Sequence, residues 1–272
     1  MTGTAHTAEV PTSHGPAGID LAGLSGAGAF LLVLTHGAGG GAGAPDLLAA
    51  REAGLRAGAV VALVTQPYRK RGARAPGSAA RQDEAWLEII AWLRANVNGT
   101  VPLIQGGRSN GARVACRTAK QAGARGVIAL AFPLRPPGRR PPVAAAPGAS
   151  ARAGRTAPGR AGQGHSEPER AGRARTAGAG RARTAGAEQA RTAGAEQAQA
   201  GQTRAGELRE AVRAGANVLV VNGDRDPFGI PDTADATRVV VLKGETHALS
   251  RNPAAVSEAV AGWLSGVVPV AR

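Results

Sequence analysis

The chain of 272 residues has one cysteine, Cys116, and it lacks a long hydrophobic run near its N-terminus. A lone cysteine excludes an internal disulfide and a metal site built from several thiolates, so we expect Cys116 to be a small core residue. The first 28 residues have no basic leader region, and the apolar run at 29–34 is too short to cross a bilayer. These absences predict a cytoplasmic protein without a membrane partner.

Large apolar side chains are nearly missing between residues 139 and 204, where Val143 is the only aliphatic or aromatic residue larger than alanine. Twelve arginines and four glutamates in this segment account for eight of the formal net charge of +14. Such a segment cannot bury enough apolar surface to offset the entropy of ordering, so the sequence predicts a low-complexity disordered insert. An octamer at 183–190 recurs at 191–198, but without a large apolar residue it cannot stack as a solenoid.

The positive charge raises the question of nucleic-acid binding. The insert has no aromatic side chain on which a base could stack, and the remaining charge is spread along the chain. We expect weak, non-specific attraction to polyanions from the arginines and no dedicated nucleic-acid site. A second basic stretch, at 69–74, could steer acidic substrates, although a solvated loop is the simpler explanation.

Outside the insert, apolar segments alternate with amphipathic ones. Strands are predicted at about 29–34, 59–65, 101–105, 127–132, 218–222 and 238–242, and helices at 46–56, 83–96, 112–121, 207–213 and 253–264. Most of the strands are continuously apolar, which is typical of burial on both faces, so we expect an α/β fold with a mostly parallel sheet between helices. A single domain would comprise 29–138 and 205–272, after a flexible segment at 1–28.

Ser109 lies where a predicted strand turns sharply into a predicted helix, within the sequence Gly107-Arg108-Ser109-Asn110-Gly111. This Gly-x-Ser-x-Gly pattern is typical of a nucleophile elbow, which presents the serine Oγ at the edge of a sheet beside a helix N-terminus. The glycines two residues before and after Ser109 are expected to let the turn adopt strained backbone angles without Cβ clashes. The sequence therefore predicts that Ser109 is a catalytic nucleophile.

A serine nucleophile needs a base, and a carboxylate that orients the base, at the same edge of the sheet. His247 follows the last predicted strand, and Asp224 and Asp226 follow the strand before it. We predict His247 as the base. Asp226 is the preferred acid, because it precedes a proline and is held extended, whereas Asp224 could cap the turn. Both aspartates also fit an ordinary solvated turn.

His36 begins a glycine-rich run, His36-Gly37-Ala38-Gly39-Gly40-Gly41, directly after the first predicted strand. Such a run can present a backbone N–H group to an oxyanion, and the residue after the serine can present another. We predict the N–H groups of Ala38 and Asn110 as these donors, and a structural role for His36, which is the rival to His247 as base. By itself, a run of this kind is equally typical of a flexible loop.

These segments together resemble the α/β-hydrolase superfamily, in particular its small dienelactone-hydrolase-like members and the branch that contains a subunit of the animal NSL histone-acetyltransferase complex and its testis-expressed relative. The resemblance is carried by 34–39, 66–68, 106–113, 132–138, 222–229 and His247. It implies a serine hydrolase fold with Ser109, Asp226 and His247 as the triad, in the chain order of that superfamily. The expected partner is a small acyl substrate, attacked at an ester-like bond with neither cofactor nor metal.

The insert at 139–204 falls where larger hydrolases of this kind place a lid. It lacks the apolar side chains that a lid needs to exclude water, so we expect an open site and small or flexible substrates. A binding or scaffold protein that keeps the hydrolase fold without turnover is the alternative. The presence of Ser109, Asp226 and His247 argues against that alternative.

Overall fold

The computed structural model describes residues 6–24, 28–97, 99–136 and 204–268. Its sheet is formed by β1 (His6–Val10), β2 (Ala17–Ala22), β3 (Phe30–Thr35), β4 (Ala59–Thr65), β5 (Leu103–Arg108), β6 (Gly126–Leu130), β7 (Asn217–Gly223) and β8 (Arg238–Leu242). The strand order is β1-β2-β4-β3-β5-β6-β7-β8, with β3 to β8 parallel. The predicted insert at 139–204 lies outside the described residues, except for Arg204.

Helices cover both faces of this sheet. They are α1 (Pro45–Arg56), α2 (Pro67–Lys70), α3 (Ala79–Asn96), α4 (Asn110–Ala122), α5 (204–213) and α6 (Pro253–Val267). Helices α1 and α6 pack on one face, and α3, α4 and α5 pack on the other. The predicted α/β class with a mostly parallel sheet is confirmed. None of the helices in the described ranges combines the length and the hydropathy that a bilayer crossing requires.

Burial on both faces explains the continuously apolar strands. In β3, Leu31 and Val33 contribute to the core beneath α3 and α4, whereas Leu32 and Leu34 contribute to the core beneath α1 and α6. All four side chains are almost fully buried. Because neither face of the strand meets water, apolar residues are needed at every position and not only at alternate ones.

Residues 6–22 correct part of one prediction, the flexible segment at 1–28, because most of them lie in two strands. β1 and β2 pair as an antiparallel hairpin, and β2 continues the sheet by pairing antiparallel with β4. Ala17, Ile19 and Leu21 are buried in the same core as α3. The alternating pattern of β2 is short and its other positions are glycine and aspartate, so its strand character comes from pairing with β4 more than from its own composition.

The carboxyl ends of the parallel strands meet at one edge of the sheet, where ligands bind in open α/β folds. The loop after β3 begins with His36, and the turn after β5 holds Ser109. The loops after β7 and β8 carry Asp226 and His247. The fold therefore brings four segments that are far apart in the sequence to the same edge.

Candidate active site

Ser109 occupies a sharp turn between β5 and α4. Its backbone angles are φ 52° and ψ −112°, in a region that non-glycine residues rarely adopt. The turn is held in place by the N–H group of Ser109, which donates to the carbonyl oxygen of Leu130 at the end of β6 at 2.8 Å. Strain of this kind persists only where the surrounding structure enforces it, and it is concentrated at functional sites.

The glycines two residues before and after Ser109 avoid Cβ clashes, as predicted, while the strained backbone angles belong to Ser109 itself. The positive φ belongs to Ser109, whereas neither Gly107 nor Gly111 is among the positive-φ residues. A Cβ atom on Gly111 would lie 2.7 Å from the carbonyl oxygens of Thr35 and His36, and one on Gly107 would collide with the carbonyl oxygen of Thr35. Both positions require glycine because the turn packs directly against the backbone after β3.

Ser109, His247 and Asp226 are joined by hydrogen bonds. The Oγ atom of Ser109 lies 2.9 Å from Nε2 of His247, and Nδ1 of His247 lies 2.8 Å from Oδ2 of Asp226. Since an ionised carboxylate only accepts hydrogen bonds, the neutral ring carries its proton on Nδ1 and offers Nε2 to the serine hydroxyl. The structure thus brings the three predicted side chains together in the geometry that general-base activation requires.

Asp226 is the aspartate that contacts His247. Its buried carboxylate also accepts from the backbone N–H of Phe228 at 2.9 Å and from Nδ2 of Asn222 at 3.2 Å. Asp224 instead accepts from the backbone N–H of Gly244 at 2.7 Å, which ties the loop after β7 to the loop after β8. Of the two aspartates between which the sequence left the choice open, only Asp226 contacts His247 among the described residues.

Asn222 was not among the predicted site residues. It is the penultimate residue of β7 and fully buried, and its Oδ1 accepts from the backbone N–H of Phe132 at 2.9 Å while its Nδ2 donates to Asp226. The side chain therefore fixes the carboxylate relative to the neighbouring strand. An asparagine at a strand end gives no distinguishing signal in the sequence, because the same residue type also caps turns.

His36 is fully engaged by the backbone. Its Nδ1–H donates to the carbonyl oxygen of Gly37 at 2.9 Å, and its Nε2 accepts from the N–H of Gln66 at 3.0 Å. Burial lowers the pKa of His36, which keeps the ring neutral. With both nitrogens occupied, His36 links the loop after β3 to the loop after β4 and has no nitrogen available for a substrate.

The predicted oxyanion donors border the same space as the serine. Ala38 and Asn110 line a cavity of about 390 Å³ together with Ser109 and His247. Asn110 is the first residue of α4, where the backbone N–H groups of a helix are unpaired and the helix dipole favours negative charge. The arrangement suits the stabilisation of a developing oxyanion.

Two further side chains support these residues. The hydroxyl of Tyr68 in α2 contacts the carbonyl oxygens of Gly37 at 3.3 Å and Ala38 at 3.2 Å. The side-chain amide of Asn110 donates to Oε1 of Gln82 in α3 at 2.6 Å. Neither supporting residue was predicted from the sequence, because each acts from a different element through a tertiary contact.

Arg108, directly before the serine, ties the site together. Its Nε donates to Oδ2 of the fully buried Asp46 at 2.9 Å, and its Nη2 donates to the backbone carbonyl of His247 at 2.8 Å. Burial raises the pKa of Asp46, and the nearby guanidinium opposes that rise. The residue between the first glycine and the serine of the motif thus positions the loop that carries the histidine.

The basic stretch at 69–74 does not line the cavity beside Ser109. Its first residues are helical in α2, and Arg71 lines a second cavity of about 440 Å³ with Trp86 and Tyr68. The basic side chains that line the Ser109 cavity are Arg108, Arg113 and Arg204.

Cys116 is buried in α4 among the core residues, as predicted. Burial raises the pKa of its thiol, which keeps the sulfur protonated and unreactive at neutral pH.

A family model and solved structures both match this chain. Residues 28–147 match the family model described as an alpha/beta hydrolase domain. A comparison with curated proteins finds no match.

Solved structures of similar fold cover nearly the whole chain. They include an α/β serine hydrolase without a lid from Xanthomonas campestris, at 14% identity with a TM-score of 0.60, covering 98% of this chain and 97% of that one. Dienelactone hydrolase from Anabaena variabilis follows at 13% identity with a TM-score of 0.61, covering 99% and 100%. Est1E from Butyrivibrio proteoclasticus, with ferulic acid bound, has 14% identity and a TM-score of 0.62, covering 96% and 98%. The chain has the α/β-hydrolase fold, and its resemblance to the NSL branch stays a prediction.

Proposed function

We propose that this protein is a serine hydrolase that cleaves an ester-like acyl bond. The observation that carries the proposal is the unbroken hydrogen-bond chain from Asp226 through His247 to the hydroxyl of Ser109. The match to an alpha/beta hydrolase domain and the hydrolases of similar fold support a hydrolase in general.

The first half of the proposed reaction acylates the serine. His247 Nε2 accepts the proton of the Ser109 hydroxyl while Oγ forms a bond with the substrate carbonyl carbon. Asp226 accepts from Nδ1–H throughout, holds the required tautomer and stabilises the imidazolium that forms. The bond from the carbonyl carbon to the alcohol oxygen then breaks, and the leaving alcohol takes the proton from His247.

The second half releases the acid. A water molecule gives a proton to His247 as its oxygen attacks the acyl carbon, and the bond to Ser109 Oγ breaks while Oγ regains a proton from the ring. In total, one ester and one water give one alcohol and one carboxylic acid.

The carbonyl oxygen becomes negative in both halves. We assign its stabilisation to the backbone N–H groups of Ala38 and Asn110, which line the cavity beside Ser109. One such donor contributes about 3–4 kcal/mol to transition-state stabilisation. No cofactor or metal is required by this scheme.

The nature of the substrate is supported indirectly. Names of the similar structures refer to a dienelactone hydrolase, a hydrolase without a lid and a protein with bound ferulic acid. These names favour an ester or lactone as substrate and an open site. From the sequence resemblance, we further propose that the protein belongs to the NSL branch of the superfamily. The buried, unpaired Cys116 suits a reducing compartment such as the cytoplasm.

Activity-based labelling tests the proposal. A fluorophosphonate is expected to label the wild-type protein covalently at Ser109, and Ser109→Ala should abolish labelling. Ser265→Ala, which removes an exposed hydroxyl in α6, is the matched control and should label normally. Equal labelling of wild type and Ser109→Ala would refute Ser109 as the nucleophile. A folded wild type that resists labelling would favour the alternative of a binding or scaffold protein.

A further inference from the structure

Arg204 is a half-buried cation in the wall of the Ser109 cavity. It begins the described part of α5 and lines the cavity together with Ser109, Asn110 and Phe228. Its Nε and Nη1 atoms are buried, and neither finds a hydrogen-bond partner within the described ranges. Buried N–H groups without an acceptor destabilise a protein, and those of a charged group more than most, so this arrangement calls for an acceptor.

The carboxylate that acts electrostatically on this cation, Glu207, is already occupied. Both carboxylate oxygens of Glu207 accept from Arg113, at 2.6 and 2.9 Å, and one also lies 3.4 Å from Arg117. Arg117 is further paired with Asp83. Among the described residues, this group of side chains holds the guanidinium groups of Arg113, Arg117 and Arg204 and the carboxylates of Asp83 and Glu207, which leaves one positive charge without a counterpart.

The remaining ionisable groups of the cavity do not supply that counterpart. Among the described residues that line it, the ionisable ones are His247 and three arginines, and no carboxylate is present. Arg108 is already engaged by Asp46 and by the backbone of His247. The pKa of Arg204 is lowered to about 10 by burial and by the neighbouring Arg113, so the group is still a cation at neutral pH.

We propose that Arg204 forms a subsite for a carboxylate of the substrate, so that the preferred ester or lactone carries one negative charge away from its scissile bond. This inference rests on the proposed hydrolase function and names its substrate class. A carboxylate supplies one negative charge and several acceptor sites to a guanidinium, which matches one uncompensated cation with unpaired N–H groups. A dianionic group such as a phosphate monoester would leave one charge unbalanced.

The position of the subsite gives it a role in specificity. Arg204 and Ser109 line the same cavity of about 390 Å³, which is the size of a small-molecule site. Binding a remote carboxylate holds the scissile carbonyl near the nucleophile and increases kcat/KM. The subsite depends on Arg204, the last residue of the predicted insert, so the motif around Ser109 did not reveal it.

Two matched pairs of esters test the subsite on the full chain. 4-Nitrophenyl hydrogen glutarate and 4-nitrophenyl pentanoate differ by a carboxylate on the acyl side, and 4-acetoxybenzoate and 4-acetoxybenzamide differ on the alcohol side. The wild type is expected to favour the anionic member of one pair in kcat/KM. Arg204→Gln should reduce that anionic-to-neutral ratio by about 10-fold or more, since a charge-assisted contact is lost. Arg204→Lys should retain part of the ratio.

Arg213→Gln is the control, because Arg213 lies on the same helix but is exposed and pairs only with Glu210 within the described residues. It should keep the wild-type ratio. A wild type with no anionic preference in either pair, or an Arg204→Gln protein with an unchanged ratio, overturns the subsite.

Inhibition of the wild type gives a measurement that does not depend on how the variants fold. Benzoate should inhibit hydrolysis of the neutral esters more strongly than benzamide, and added salt should weaken the difference. Equal inhibition by the two compounds counts against the subsite. Fluorophosphonate labelling of Ser109 separates the two proposals: a protein that labels without any anionic preference refutes only the subsite, whereas a folded protein that does not label refutes the hydrolase.

Discussion

Two loops at the same edge of the sheet each carry a histidine after the end of a strand, yet the two rings are used differently. His36, after β3, is fully buried, and both of its nitrogens bond to backbone groups. His247, after β8, bonds to Asp226 through one nitrogen and to the hydroxyl of Ser109 through the other. The first ring holds two loops together, and the second connects a carboxylate with a hydroxyl.

The two rings differ in the partner of Nε2, and that partner determines whether a histidine can exchange a proton with a ligand. A ring with two backbone partners is held neutral and cannot exchange a proton with a ligand. A ring between a carboxylate and a hydroxyl can accept a proton and be stabilised as a cation. Substituting each histidine and its partners in turn tests this difference.

The largest effect is expected for His247. His247→Gln should lower kcat for ester hydrolysis by about 10⁶-fold, because the proposed base is removed. Steady-state kinetics with a 4-nitrophenyl ester would measure it, and circular dichroism would check the fold. A kcat within 10-fold of wild type would contradict the assignment of the base.

The next effect distinguishes the two aspartates in the loop after β7. Asp226→Asn should lower kcat by about 10⁴-fold, because the amide favours the wrong tautomer of His247. Asp224→Asn, a matched change in the same loop, should alter kcat only slightly, since its carboxylate contacts the backbone of Gly244. Measuring kcat for both variants decides the matter, and a larger loss in Asp224→Asn would reverse the roles.

A smaller effect is expected for Asn222, which acts through Asp226. Asn222→Ala removes one hydrogen-bond donor from the Asp226 carboxylate and should lower kcat by about 10-fold with little change in KM. The same change should lower the free energy of unfolding by about 1–3 kcal/mol. Asn222→Asp would place a second carboxylate beside Asp226 and should shift the acidic limb of the pH–rate profile upwards. A purely structural role would leave that profile where it is.

The smallest effect concerns the pH dependence of stability at His36. Burial lowers the folded-state pKa of His36 below its usual value of 6.5. As the pH falls through 6.5, the unfolded chain binds a proton that the folded protein does not, so this contribution to stability is present above 6.5 and is lost as the pH falls. The slope is at most about 1.4 kcal/mol per pH unit.

Chemical unfolding of wild type and His36→Asn between pH 5 and 8 measures this contribution. The free energy of unfolding of the variant should be lower overall and should fall less steeply in acid. His6→Asn, at an exposed position in β1, should retain the wild-type slope. Identical slopes for all three proteins would show that His36 is not the group responsible.

The sequence predicted which side chains come together because their positions depend on the order of strands and helices. Ser109, Asp226 and His247 follow apolar strands, and parallel strands end at one edge, so their proximity follows from the order of the elements. Arg108 and Asn222 were missed because their roles depend on partners far away in the sequence.

Local geometry was less predictable than topology. The pattern around Ser109 predicted glycines that avoid Cβ clashes, but it did not reveal what they would clash with: Gly111 is needed where the turn packs against the carbonyl oxygens of Thr35 and His36. Only the three-dimensional packing of two segments separated by about seventy residues reveals that crowding.

The N-terminal hairpin has a practical consequence for anyone who shortens the chain. The family match begins at residue 28, which suggests that the preceding residues can be dispensed with. Removing them would leave the backbone groups of β4 that pair with β2 without partners. Such an unpaired, apolar strand is a template for intermolecular pairing, so the trimmed protein would aggregate while every catalytic side chain remained in its sequence.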